Sequence, residues 1–220
     1  NLINLTLSGG QLLNAVNFTL AGQAAPTRTP LINGIQFTPV DVTGATSYSG
    51  TGFELTGLPN TTLIHDGNRT SGVANTAEIY PLIYNAVVSP VQGGTPAASV
   101  LRFTISGLTI DQEYVVQFVF SSDAASRQVT LMDNIGSSST PGTSGNISYG
   151  TTNGPQVVTG TFTADAATQS YDVVATVSAT RVQFSGFTVQ AVPEPSTVGL
   201  LTLGAGMVLG FRRRREQKRS

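Results

Sequence analysis

The sequence predicts an all-β chain: an antiparallel β-sandwich of jelly-roll type with one short helix, followed by a single C-terminal transmembrane helix. Three observations predict it. About ten strand-like segments are separated by Gly, Pro, Asn and Ser turns, with no alternation of strand and long helix. One segment, Tyr114–Phe120 (YVVQFVF), is apolar on both faces, as a central strand must be. The last 29 residues, 192–220, set a Pro-Glu-Pro turn, an unbroken apolar run and four arginines in that order, which suits a membrane rather than a soluble core. Three regions follow: N-terminal strands and a linker in 1–30, the sandwich in 31–191 and the tail in 192–220.

In chain order, residues 2–7 and 16–20 read as short strands on either side of Gly9-Gly10. Residues 21–30, with Pro26 and Pro30, read as a linker. Leu31–Thr38 is a strand ended by Pro39, residues 43–52 a surface loop, and 53–55 and 61–65 are further strand pieces. Asn75 with Glu78 makes a capping box, and Ile79, Leu82 and Ile83 follow at helical spacing. Pro81 keeps that helix to one or two turns. Leu101, Phe103 and Ile105 alternate with Arg102 and Thr104, and a turn over 107–112 leads into the central strand. A strand at 127–132, a Ser- and Gly-rich loop over 133–155, and strands at 157–163, 170–177 and 181–189 close the domain. The predicted core is Leu101, Phe103, Ile105, Val116, Phe118, Phe120, Val173, Phe184 and Phe187.

Two sandwich versions compete. Leu108 and Tyr114, within GLTIDQEYVVQF, resemble the strand entry of fibronectin type III domains, where a tyrosine hydroxyl ties down a corner. Those domains run to about 100 residues, and strands here extend well beyond that, which a jelly roll accommodates better. The span 75–123 also resembles galactose-binding-like jelly rolls, a resemblance that implies a fold used in carbohydrate-binding modules.

In the tail, Pro193 and Pro195 fix φ and hold Val192 and Glu194 extended. Ser196 and Thr197 offer N-cap oxygens to the apolar run Val198–Phe211. Its 14 residues cover about 21 Å as a helix, short of about 30 Å of hydrocarbon. Arg212, Arg213, Arg214 and Arg215 compensate by snorkelling and mark the cytoplasmic end, so the rest of the chain lies on the far side. This order resembles a PEP-CTERM sorting domain, found on exported proteins of exopolysaccharide-producing Gram-negative bacteria, sometimes beside galactose-binding-like domains. The resemblance implies recognition of Pro193, Glu194 and Pro195 by a membrane exosortase, cleavage nearby, and delivery to the cell surface or matrix. An ordinary tail anchor with an incidental Pro-Glu-Pro is the alternative. Such sorting needs a secretory signal, and a chain that begins at Asn1 without one reads as a mature form or a fragment.

Residues 1–191 hold five arginines and no lysine against ten acids, a net of −5, while 212–220 hold six basic residues against Glu216, a net of +5. An acidic, lysine-free ectodomain has no footprint for nucleic acid. The absence of cysteine excludes disulfides and thiolate metal sites.

Candidate chemistry is sparse. His65 is the single histidine, without a nucleophile elbow or a cysteine to accompany it. Glu54, Glu78, Glu113, Asp123 and Asp133 are available carboxylates, each beside a turn or cap that explains it. Asp123 and Asp133 flank one strand and are candidates for a structural calcium, the one cofactor considered; pairing of Asp123 with Arg127 or Arg102 is the simpler reading. Tyr48, Tyr80, Tyr84 and Tyr149 lie in or near loops; of these, Tyr80 and Tyr149 are the candidate sugar contacts, with loop packing as the competing role. The expectation is a non-catalytic domain that binds or scaffolds exopolysaccharide. A carbohydrate-active hydrolase and a purely structural surface protein are the alternatives.

Overall fold

The computed structural model describes residues 10–19, 30–57, 63–65, 82–83, 85–88, 100–122, 124–133, 142–176 and 182–193. Their strands are β1 (Leu12–Thr19), β2 (Leu31–Ile32), β3 (Ile35–Gln36), β4 (Thr38–Asp41), β5 (Ser47–Gly50), β6 (Phe53–Thr56), β7 (Leu63–His65) and β8 (Asn85–Val88). Then follow β9 (Val100–Ser106), β10 (Glu113–Phe120), β11 (Arg127–Asp133), β12 (Ile147–Tyr149), β13 (Gln156–Thr163), β14 (Thr168–Ala175) and β15 (Gln183–Ala191).

Two sheets face each other. A seven-stranded sheet runs β13-β10-β15-β1-β4, with β8 also paired to β15 and β7 to β8; a six-stranded sheet runs β12-β11-β14-β9-β6-β5. From β9 onward the chain crosses between sheets at nearly every step, the connectivity that a jelly roll requires. The inner faces alternate apolar residues, and one core cluster between the sheets contains all nine residues of the predicted core. Aromatic rings fill its centre: Phe103 lies 4.4 Å from Phe187 and meets Phe118 edge-on at 5.4 Å. Tyr114–Phe120 is central, as predicted, because β10 pairs with β13 on one side and β15 on the other.

Several predicted elements take a different form. Leu31–Thr38 is not one strand but a hairpin, β2–β3, followed by β4. Asn33 (φ 50°) and Gly34 (φ 81°) form its turn, both in the left-handed region that Asn-Gly tolerates best. Pro39 does not end the strand; it lies within β4 at the sheet edge, where a missing N–H costs little. β4 runs parallel to β1 because the hairpin lies between them in the chain as a crossover. β1 pairs with β15, which places residues 12–19 in the seven-stranded sheet. The predicted loop over 43–52 contains β5, and that over 133–155 contains β12. Leu82 and Ile83 are helical and fully buried, while the rest of the predicted helix lies outside the described residues.

A second apolar cluster covers the outer face of the seven-stranded sheet. Ile32 and Ile35 of the hairpin, Phe37, Leu82 and Ile83 pack there on Ala15 and Val119. The Tyr114 hydroxyl accepts a hydrogen bond from the Thr109 N–H at 2.8 Å, so the tyrosine corner expected from the sequence is present on this larger sandwich.

Candidate functional site

The tail leaves the sandwich without a spacer. β15 ends at Ala191, whose N–H donates to the Gln11 carbonyl at 2.9 Å. The Val192 N–H donates to the Glu113 carbonyl at 2.8 Å, and the Val192 carbonyl accepts from Gln112 Nε2 at 2.7 Å. Backbone polar groups are thus satisfied by the domain up to Val192, and exposed Pro193 is the first residue released. Glu194, Pro195, the apolar run and Arg212, Arg213, Arg214 and Arg215 lie outside the described residues. Among the described residues, no helix is long and apolar enough to cross a membrane.

On the domain itself, a cleft of about 380 Å³ opens between the sheets on their β13 and β11 side. Phe118 of β10, Leu131 of β11, Val158 and Phe162 of β13 and Tyr171 of β14 supply an apolar and aromatic wall. Phe162 stacks on Tyr114 at 5.5 Å and meets Tyr171 edge-on at 6.1 Å, which holds both rings in place. Residues 142–144 form the rim by returning to pair with β11: the Asp133 N–H donates to the Gly142 carbonyl at 2.9 Å and the Ser144 N–H to the Leu131 carbonyl at 3.0 Å. Thr143 and Ser144 of this rim add polar side chains to the lining, while Thr159 and Thr161, opposite Gln117 and Val115 in the register, turn their side chains to the other face of the sheet.

Asp133 is the single charged residue among the described residues of this lining. It ends β11 directly opposite Tyr171 in the register, and Gln169 Nε2 donates to its Oδ1. Burial, then the negative charge of Asp165, push its carboxyl above the usual carboxylate range, against the opposing effect of the Gln169 hydrogen bond. Burial, then Asp133, likewise raise the Tyr171 phenol, so its hydroxyl stays protonated. A second hollow, of about 360 Å³, lies on the opposite flank, where Tyr48 stacks on Phe53 at 5.6 Å.

The other sequence candidates are placed elsewhere. Tyr149 offers no face to a ligand: it is fully buried, packs on Phe120 at 5.5 Å, and its hydroxyl accepts from the Gln183 N–H at 3.0 Å. Its apparent loop position is strand β12, and loop packing, the competing role, is what it has. Tyr80, Tyr84, Glu78 and Asp123 lie outside the described residues, and His65 falls in β7. Glu54 is exposed on β6, and exposed Glu113 begins β10 and contributes its backbone to the tail exit. Arg102 forms a two-point ion pair with Asp172 at 2.7 and 2.8 Å, and Arg127 donates to Ser122 at 2.7 Å. Among the described residues no group of three His, Cys, Asp or Glu side chains is placed to hold a metal. Phe162, Tyr171 and Gln169 were not anticipated as site residues. Sequence position alone gives no sign that an inner-face strand residue reaches an opening between sheets.

Comparison with known proteins sorts the chain into the same two parts. Residues 191–215 match the PEP-CTERM protein-sorting motif. The motif marks an exported protein held at the membrane before processing, and it implies processing by exosortase. No curated protein matches the chain. The sandwich is similar to the ANXUR2 extracellular domain from Arabidopsis thaliana, with a TM-score of 0.55 and 12% identity over 84% of this chain and 50% of that one. It is also similar to the ANX1 ectodomain from the same plant, with a TM-score of 0.52 and 15% identity over 84% of this chain and 52% of that one. The chain therefore spans about half the length of these ectodomains. At such identities the likeness is one of fold alone. A β-glucuronidase of Bacteroides uniformis aligns less well, with a TM-score of 0.47 over 18% of its own chain, and no chemistry is carried over from it.

Proposed function

We propose that this is a sorted cell-surface or matrix protein whose jelly-roll sandwich binds exopolysaccharide without turning it over. The observation that carries the binding part is the cleft between β13 and β11. Its fixed aromatic wall beside Asp133 and the polar Thr143–Ser144 rim is the combination that a sugar ring needs, with apolar C–H faces on one side and hydroxyls on the other. The acidic, lysine-free ectodomain fits a neutral or cationic glycan better than an acidic one.

A hydrolase is favoured by one observation: Asp133 is raised and feels a second carboxylate, Asp165. Asp165 does not line the cleft, so among the described residues one carboxylate faces a ligand without a partner to complete a pair. The test is to challenge the full chain, in detergent, with the host's polysaccharide while assaying reducing ends. Retention without release supports the binding reading, release establishes the hydrolase, and neither leaves a structural protein. For sorting, mass spectrometry of the protein from its native host should show loss of the arginine block. An intact 212–220 on the extracellular form would leave a plain anchor.

A further inference from the structure

We infer that the cleft selects a glycan carrying a protonated amine, with the amine on Asp133 and the sugar face on the aromatic wall. This rests on the glycan-binding reading and adds the chemical class of the ligand. Three features of the cleft lead to it.

The first is the company Asp133 keeps. Its carboxylate receives a hydrogen bond from neutral Gln169, which is itself buried on β14. The positive groups of the described region are committed elsewhere, Arg102 to Asp172 and Arg127 to Ser122. The charge that acts on Asp133 is the like charge of Asp165. A partly desolvated carboxylate with no cation beside it among the described residues is matched best by a ligand that brings one. A sugar hydroxyl supplies one donor, whereas an ammonium supplies a positive charge and three donors.

The second feature is the wall. Phe118, Phe162 and Tyr171 lie beside the carboxylate, and aromatic rings attract a cation electrostatically as well as stacking on a sugar. The third is exclusion. A uronate or other anionic sugar entering here would meet Asp133, which already feels the like charge of Asp165, and would find no Arg or Lys among the described lining residues, so the cleft discriminates by repulsion as well as by attraction.

The test measures binding of three equal-length oligosaccharides to the full chain in detergent: a glucosamine oligomer, its N-acetylated counterpart and an oligouronate. The pH is set where both the amine and Asp133 carry charge. The glucosamine oligomer should bind at least about tenfold more tightly than the acetylated one, and the uronate least. Asp133→Asn, checked for an unchanged melting temperature within a few degrees, should erase that preference while weak binding of the neutral oligomer persists. Equal affinity for aminated and acetylated oligomers, or a preference for the uronate, overturns the amine inference and leaves glycan binding standing. Failure of all three sugars and of the host polysaccharide overturns the glycan reading beneath it.

Discussion

β15 of the seven-stranded sheet is buried along eight successive residues, whereas β14 of the six-stranded sheet alternates between buried and less buried positions along its whole length. Both strands face the same core. They differ in what lies behind them. The β2–β3 hairpin with Leu82 and Ile83 covers the outer face of the first sheet, whereas among the described residues none packs over the outer side of the six-stranded sheet. Under the cover, polar side chains have to satisfy one another. Thr188 Oγ1 donates to Gln117 Oε1 at 3.1 Å, Gln117 Nε2 donates to Thr159 Oγ1 at 3.2 Å, and Ser121 Oγ donates to the Ile83 carbonyl at 3.0 Å while meeting Ser185 Oγ at 2.6 Å. On the bare sheet, Arg102–Asp172 and Thr104–Ser170 are cross-strand pairs with water as an alternative partner. The same kinds of polar residue are therefore structural on one sheet and nearly dispensable on the other.

The largest effect tests the shared core. Phe187 is fully buried on β15, 5.0 Å from Phe53 and 4.4 Å from Phe103. Phe187→Asp places an unpaired charge between the sheets and should abolish cooperative unfolding outright. A variant that melts like the parent would refute the two-sheet arrangement. Next comes the covered face. A Cβ on Gly186 would stand 2.4 Å from the Val16 carbonyl oxygen and 2.9 Å from Leu82 Cδ1, so backbone and cover both resist it. Gly186→Ala should cost about 1–3 kcal/mol in chemical denaturation. Removing the bare sheet's ion pair is the counterpart. Arg102 is 47% exposed, and Arg102→Ala should cost at most about 1 kcal/mol, with the difference shrinking in high salt. If Arg102→Ala proves the more costly of the two, the contrast between the sheets fails.

This contrast also explains how far the sequence could be read. Where one face is wet, the period-2 pattern is reliable: Leu101, Phe103 and Ile105 of β9 were placed by alternation and are fully buried. Where both faces are covered, length and apolar density took over, and YVVQFVF was still legible as a central strand. The hairpin that provides the cover was missed although Asn33-Gly34 announces it, because eight residues that suit strands on both sides of the turn read as one strand. The tail motif was fully legible, since its meaning lies in order and position. The cleft was not. It depends on how far two sheets diverge beside Asp133 and on rings contributed by strands distant in sequence, and neither is written in any local pattern.

The smallest effect sits at the edge of the contrast, on the strand end where the core opens. Asp133 is half-buried, and its carboxyl is raised chiefly by that burial and then by Asp165. A carboxyl whose folded pKa lies above its unfolded value favours folding when protonated. Its contribution is fully present below the unfolded pKa and is lost as pH rises through the folded one. The folded protein should therefore lose a little stability as pH climbs from the ordinary carboxylate range through the raised value of Asp133. Asp133→Asn keeps an oxygen for the Gln169 amide to donate to and removes the titration. Solvent screening at this open site limits the gain of the variant at neutral pH to a few tenths of a kcal/mol. Melting temperatures of both proteins across the acid range supply the check: the variant should lead at neutral pH and its advantage should fade on acidification. An advantage that instead grows in acid would mean that the Asp133 carboxylate is stabilised in the folded state, and its place in a desolvated cleft would be wrong.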